Sequence, residues 1–171
     1  LFILPALFVG MPILVWCLDG AERLRGLRTF LSPAFGIGFA FGLGYFALAL
    51  HWLGAAFIQE GGIYLAVMPF AIIGLAAILA LFWGFAAAFA HLMWSSGFLR
   101  IVTLATFLAA AEWLRGHVLS GFPYDLLGYA LTANDDMMQA ASIMGVYGLT
   151  FVAALISMTI ALIWPADERG V

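Results

Sequence analysis

Five long runs of apolar residues constrain the fold of this chain more than any other feature. They cover about residues 1–18, 33–57, 64–93, 99–115 and 145–164, and charged residues, Gly or Pro bound each of them. A helix needs about 20 consecutive apolar residues to cross the hydrocarbon core of a bilayer. Because lipid offers no partner to backbone polar groups, such a span must satisfy them within a helix. The sequence therefore predicts an all-α fold, a polytopic transmembrane bundle of about five helices.

The composition agrees with this class of protein. Hydrophobic residues make up 66% of the chain and charged residues 9%, whereas about 25% of residues are charged in soluble domains. The runs are apolar at nearly every position, and not at every second one as in the strands of outer-membrane barrels. The formal net charge is -3 and the cations form no patch, so we expect no nucleic-acid partner. We predict a single transmembrane domain over residues 1–171.

The arginines predict how the bundle is oriented. Most of them lie after the first, third and fifth runs or at the start of the fourth, namely Arg23, Arg25, Arg28, Arg100 and Arg169. The loop after the second run has no Lys or Arg, and the loop after the fourth has Arg115 at its helix boundary. Short loops that are rich in Lys and Arg stay on the cytoplasmic side. The loops after helices two and four are therefore predicted to be extracytoplasmic.

Glu112 and Arg115 stand out among the ionisable residues at membrane depth. Three residues apart on one helix, they share a face and can form an ion pair. One interpretation is an orienting pair that faces a cavity. The other is an anchor at the membrane interface, with Arg115 extended to the headgroups and Glu112 neutralising it. The spacing alone does not decide between them.

The stretch after the fourth run, about residues 116–144, remains apolar and aromatic, unlike most solvated loops. It contains the segment Gly121-Phe-Pro-Tyr-Asp-Leu-Leu-Gly-Tyr129. Gly121 and Pro123 favour a turn, while Phe122, Tyr124 and Tyr129 suit the membrane interface or a groove for acyl chains. We predict that these residues face lipid or substrate; plain re-entrant packing is the alternative.

Gly38 and Gly42 form a small-xxx-small pattern, which lets two helix backbones approach closely. Packing within the bundle is the favoured interpretation, and a homodimer seam is the other.

No catalytic, metal or cofactor site is predicted within the chain. Its histidines, His51, His91 and His117, have no metal-ligand spacing. Its single cysteine, Cys17, lies in the first apolar run and is interpreted as a small apolar residue rather than a nucleophile.

Three motifs carry a resemblance to a known family. They are Glu112-Trp-Leu-Arg-Gly116, then Gly121-Phe-Pro-Tyr124 with Leu127-Gly-Tyr129, then Gly145-Val-Tyr-Gly-Leu-Thr-Phe151. In this order and spacing they resemble the membrane half of apolipoprotein N-acyltransferases. Gly42-Leu-Gly-Tyr-Phe46 followed by His51-Trp52 is similar to a further region of that family, so the resemblance covers about residues 10–164. The family more often has Trp at the position of Tyr124, and either aromatic residue suits an interface.

The resemblance implies a multi-pass acyltransferase of the bacterial inner membrane. Such an enzyme moves an acyl chain from a phospholipid to the α-amino group of the diacylglyceryl-cysteine that begins a lipoprotein. Family members do so through a thioester on a nitrilase-like domain with a Glu-Lys-Cys triad. The chain has no lysine and starts without Met, so we expect a non-catalytic fragment that lacks this domain. The implied partners are the phospholipid donor, the lipoprotein acceptor and the bilayer.

A membrane transporter or a structural membrane subunit remains the alternative. A transporter predicts ionisable or unwound elements near the bilayer midplane, and the third apolar run has no charged residue.

Overall fold

The computed structural model describes residues 4–22, 32–118, 121–133 and 138–163. Six α-helices follow one another in this part of the chain: α1 (Leu4–Asp19), α2 (Pro33–Ala49), α3 (Gly54–Glu60), α4 (Ile63–Leu92), α5 (Phe98–His117) and α6 (Ala141–Met158). Three 3-10 segments join or extend them, at Leu50–Leu53, Leu127–Ala133 and Thr159–Ile163. No strand occurs among the described residues. The predicted all-α fold is therefore confirmed.

Three helical stretches are long and apolar enough to cross a membrane: Pro33–Glu60, Ile63–Leu92 and Ala141–Ile163. The first combines α2, the 3-10 turn and α3, and a shorter apolar helix spans Pro5–Asp19. α5 is 20 residues long but carries buried charged side chains, which lowers its hydrophobicity. The count of about five spanning helices stays a prediction. Leu1, Arg23, Arg25, Arg28 and Arg169, on which the expected orientation and chain ends rest, lie outside the described residues.

Helix α2 begins at a sequence-encoded cap. The backbone N–H of Phe35 donates to the Ser32 hydroxyl at 3.3 Å, and Pro33 occupies the first turn, where a missing N–H costs nothing. The helix then packs along α4 through its glycines. A Cβ on Gly38 would lie 2.5 Å from the Ala87 Cβ and 2.6 Å from the Trp83 carbonyl oxygen. The small-residue face of α2 is therefore occupied by α4 within the bundle.

A polar cluster ties the helices together at one end of the bundle. The Trp94 indole N–H donates to Asp19 Oδ1 at 2.9 Å, and Arg100 Nε lies 3.5 Å from the same oxygen. Arg100 also donates to the Ala161 carbonyl at 3.1 Å, while His91 Nε2 lies 3.1 Å from the Leu18 carbonyl oxygen. The end of α1, the α4–α5 connection and the end of α6 therefore meet at the same end.

The close contact of α2 with α4 gives a first prediction. Gly38→Ala should lower the free energy of unfolding by about 1–3 kcal/mol, because the added methyl overpacks a backbone contact. Equilibrium unfolding of the purified protein in detergent measures this. Gly36→Ala is the matched control, since a Cβ there meets nothing within 4 Å and Ala favours a helix over Gly by about 1 kcal/mol. Equal stability of the two variants would contradict the packing.

Candidate functional site

Glu112 and Arg115 are buried on the inner face of α5. Glu112 is 0% exposed and Arg115 is 2% exposed. Arg115 Nη2 lies 4.0 Å from Glu112 Oε1, an ion pair at the limit of contact. The guanidinium therefore does not extend to the headgroups, and the anchor interpretation does not describe this geometry. Charges this deeply buried need hydrogen-bond partners as well as each other.

The partners of Arg115 are backbone carbonyls of the loop that follows α5. Its Nη1 donates to the carbonyl oxygen of Phe122 at 3.1 Å and to that of Tyr124 at 2.9 Å. The Phe122 N–H donates in return to the Arg115 carbonyl at 3.0 Å. The guanidinium carbon also lies 4.9 Å from the ring centre of Phe46 on α2, within range of a cation–π contact. One arginine thus fixes the turn of the loop against two helices.

Glu112 holds the next part of the loop. Both its carboxylate oxygens lie 3.3 Å from the Leu127 N–H, which donates to them. The Thr150 hydroxyl donates to Glu112 Oε2 at 2.9 Å and accepts from the Gly128 N–H at 3.1 Å. A carboxylate on α5 and a hydroxyl on α6 therefore satisfy two consecutive N–H groups that would otherwise be buried without partners.

Glycines let the three sequence motifs interlock. Gly121 has a φ of +71°, a conformation that glycine adopts at little cost. A Cβ on Gly128 would lie 2.6 Å from the Val146 carbonyl oxygen and 2.7 Å from the Thr150 N. A Cβ on Gly116 would collide with the Tyr147 hydroxyl. The first and second motifs therefore both meet the third, and a larger residue than glycine would not fit at positions 116 and 128.

Aromatic side chains cover the outer side of this loop. The Phe122 and Tyr124 rings meet edge to face with centres 5.2 Å apart, and Trp52 lies 6.1 Å from Tyr124. Tyr124 is 56% exposed and Trp52 is 45% exposed. The Tyr129 hydroxyl donates to the Pro123 carbonyl at 2.9 Å. Partial burial raises the pKa of Tyr129, so its hydroxyl stays protonated and can donate. We call Trp52, Phe122, Pro123 and Tyr124 the aromatic face.

Asp125 links the loop to α2 and to the turn after it. Its carbonyl accepts from the Tyr45 hydroxyl at 3.1 Å, and its Oδ2 accepts from the Trp52 indole N–H at 3.3 Å. The backbone of Asp125 has a φ of 54°, in the left-handed region that Asp and Asn enter more readily than other non-glycine residues. Below this residue, an open cavity of about 650 Å³ lies between α1 and α2.

The seven predicted site residues lie at the same end of the bundle. They are Glu112, Arg115, Gly121, Phe122, Pro123, Tyr124 and Tyr129. Sequence reasoning missed Tyr45, Asp125 and Thr150. Thr150 had a usable signal, because a hydroxyl within an apolar helix commonly bonds a neighbouring segment. The roles of the seven residues stay a prediction.

Other residues weighed in the sequence lie apart from this region. His91 belongs to the polar cluster at the opposite end, and Cys17 is exposed on α1. His117 stacks on Trp113 with ring centres 4.5 Å apart. Within the described ranges, no group of three or more His, Cys, Asp or Glu comes together.

The buried pair generates a second prediction. Glu112→Ala and Arg115→Ala should each lower the free energy of unfolding by about 3–5 kcal/mol, because each leaves the other charge buried without its partner. The double variant should cost less than the sum, as measured by a double-mutant cycle in detergent. Thr103 and Thr106 provide a control pair at the same spacing, since both hydroxyls donate within α5. If the effects of Glu112→Ala and Arg115→Ala on the free energy of unfolding were strictly additive, the two side chains would not be energetically coupled.

Comparison with known proteins identifies the family of this chain. Residues 1–159 match the model of the apolipoprotein N-acyltransferase N-terminal domain. An apolipoprotein N-acyltransferase of Agrobacterium fabrum is 44% identical over 167 residues, which are 96% of this chain and 32% of the relative. Proteins of the same name from Rhodopseudomonas palustris and Brucella suis are 43% and 40% identical, over 89% and 91% of this chain and 28% and 30% of their own lengths.

The chain thus spans about a third of the length of the curated relatives it matches. The match nevertheless covers nearly all of the residues present here, including the three interlocked motifs around Glu112 and Arg115. The chain belongs to the apolipoprotein N-acyltransferase family, and it matches the N-terminal domain of that family.

Proposed function

We propose that this chain is the membrane domain on which an apolipoprotein N-acyltransferase positions its lipid substrates. The complete enzyme transfers an acyl chain from a phospholipid to the α-amino group of a lipoprotein's diacylglyceryl-cysteine. One observation carries the proposal: the aromatic face stands on a loop whose backbone is held by the buried Glu112 and Arg115. A fixed backbone with exposed aromatic side chains suits contact with lipid chains and headgroups at an interface.

In this proposal the covalent chemistry lies outside the chain. A thioester route needs an activated cysteine with a nearby base and a group that stabilises developing charge. The chain has no lysine, so a Glu-Lys-Cys triad is not available from its own residues. Its single cysteine, Cys17, is on the membrane helix α1 and away from the aromatic face. The contribution of this domain is then binding and orientation.

The geometry of the buried pair favours this function over transport. A transport site keeps polar groups available for a substrate or ion near the bilayer midplane. Here both oxygens of Glu112 and Nη1 of Arg115 bond to loop backbone and Thr150, and Nη2 of Arg115 lies 4.0 Å from Glu112; Nε and Nη2 of Arg115 make no hydrogen bond among the described residues. We therefore interpret the pair as a positioning element for the loop, and the aromatic face as the part that meets substrate.

We further propose that the protein lies in the bacterial inner membrane with the aromatic face outside. The polar cluster gathers the end of α1, the α4–α5 connection and the end of α6. The Arg distribution along the sequence favours a cytoplasmic position for that end. The loops after the second and fourth predicted helices then lie on the extracytoplasmic side, where lipoprotein maturation would require the substrate site.

Loss of the aromatic face should lower acyl transfer by the full-length protein. Phe122→Ala, Pro123→Ala and Tyr124→Ala are each expected to lower the rate by roughly tenfold at equal protein level, because misplaced substrate reacts more slowly. The assay is conversion of a diacylated lipopeptide to its triacylated form in membranes. Tyr124→Trp should retain activity because it keeps an aromatic ring.

A matched control separates the aromatic face from general lipid contact. Phe70 is 78% exposed on α4 and lies outside the loop, so Phe70→Ala should leave the rate unchanged. If all three loop variants matched the parent, or Phe70→Ala fell as far as they did, the proposed role would be wrong.

Sidedness is tested by labelling single cysteines in a Cys17→Ala background. Glu60 is the last residue of α3 and Ser96 lies in the α4–α5 connection, and both are exposed. We expect an impermeant thiol reagent added to intact spheroplasts to label Glu60→Cys and not Ser96→Cys, and to label both after lysis. The reverse pattern would invert the orientation.

A further inference from the structure

We infer that the cavity between α1 and α2 is a binding site for one acyl chain of a membrane lipid. The cavity has a volume of about 650 Å³, within the usual 300–1,000 Å³ of small-molecule sites. Leu7 and Met11 of α1 form one wall and Phe41 of α2 the other. Loop residues between Asp125 and Thr132 line its loop end.

The walls have the chemistry that an acyl chain requires. They are mainly aliphatic and aromatic side chains. Trp83 stacks on Tyr45 with ring centres 4.9 Å apart and on Phe41 at 6.0 Å, which gives a flat apolar back wall. An apolar cavity does not hold ordered water well. α2 lies within Pro33–Glu60, a stretch that is long and apolar enough to span a bilayer. The side chains on the outside of α2 would then face lipid tails rather than water.

The polar groups of the cavity are gathered at one end. The polar residues that line the cavity belong to the loop or contact it, namely Tyr45, Asp125, Tyr129 and Thr132. The Tyr45 hydroxyl donates to the Asp125 carbonyl. A lipid has the same asymmetry, with an apolar chain that begins at a polar ester or amide. A chain that enters from the loop end therefore matches the cavity in both parts.

Glycine keeps the wall of α2 open. Gly44 lines the cavity, and a Cβ there would meet nothing within 4 Å. A larger side chain at this position would therefore project into free space without displacing a neighbour. Gly36, two turns earlier on the same helix, also has free space but does not line the cavity. The two glycines form a matched pair for a test.

Photocrosslinking of lipid to the full-length protein tests the site. The protein is placed in nanodiscs of a phospholipid that carries a diazirine on one acyl chain, illuminated, digested and mapped by mass spectrometry. We expect adducts on Ala6 and Leu7, which line the cavity and are accessible, to exceed those on Phe70 and Ile73, which face outward on α4. Gly44→Leu should lower the α1 adducts at least fivefold, and Gly36→Leu should not.

A second substitution that fills the cavity controls for a folding defect in Gly44→Leu. Ala40→Leu also narrows the cavity, and its monomer elution and thermal unfolding are compared with the parent before labelling. Unchanged α1 adducts in a folded Gly44→Leu or Ala40→Leu variant would overturn the inference. The same holds if Ala6 and Leu7 are labelled no more than Phe70, because the labelled lipid would then be only part of the layer that surrounds the protein.

Labelling needs no acyl transfer, so its outcome is independent of the proposed function. If Gly44→Leu lowers both adducts and acyl transfer, the bound chain belongs to a substrate. If Gly44→Leu lowers the adducts but not acyl transfer, the bound lipid is a structural lipid and not a substrate. Either result supports an acyl-chain site in the cavity.

Discussion

The shared burial of one acid and one base on α5 is the constraint on which the outer end of this bundle depends. Neither Glu112 nor Arg115 can be stable alone at 0% and 2% exposure, because the desolvation penalty of a buried charge amounts to several kcal/mol. Their mutual contact is long at 4.0 Å, so backbone groups must complete it. The loop after α5 supplies those groups, and its course follows from that requirement.

The sequence predicted the helical class and the identity of the pair, because apolar length and the i,i+3 spacing are local properties. It did not predict that the pair points inward, since spacing fixes only that both residues share a face. The contacts of Tyr45 with Asp125 and of Glu112 with Thr150 join residues 80 and 38 positions apart. Such contacts depend on how the helices pack, which an apolar run does not encode by itself. The cavity between α1 and α2 is unpredictable for the same reason.

Buried charged side chains find their partners in different ways at the two ends of the bundle. At one end, Arg100, Asp19 and Trp94 join helix ends directly to one another. At the other, Glu112 and Arg115 bind the backbone of a connecting loop. The first arrangement fixes helices, whereas the second fixes a surface. The aromatic face lies at the second end, where the three sequence motifs of this chain meet.

The hydrogen bonds that hold the loop go to backbone atoms: the carbonyls of Phe122, Tyr124 and Asp125 and the N–H groups of Leu127 and Gly128. These bonds do not depend on which side chain stands at position 124, where Tyr124 is 56% exposed, whereas the Phe122 ring also packs against the hydrophobic core. Position 124 can therefore take another side chain without a change in the course of the backbone. The loop thus combines a fixed path with a tip that tolerates substitution.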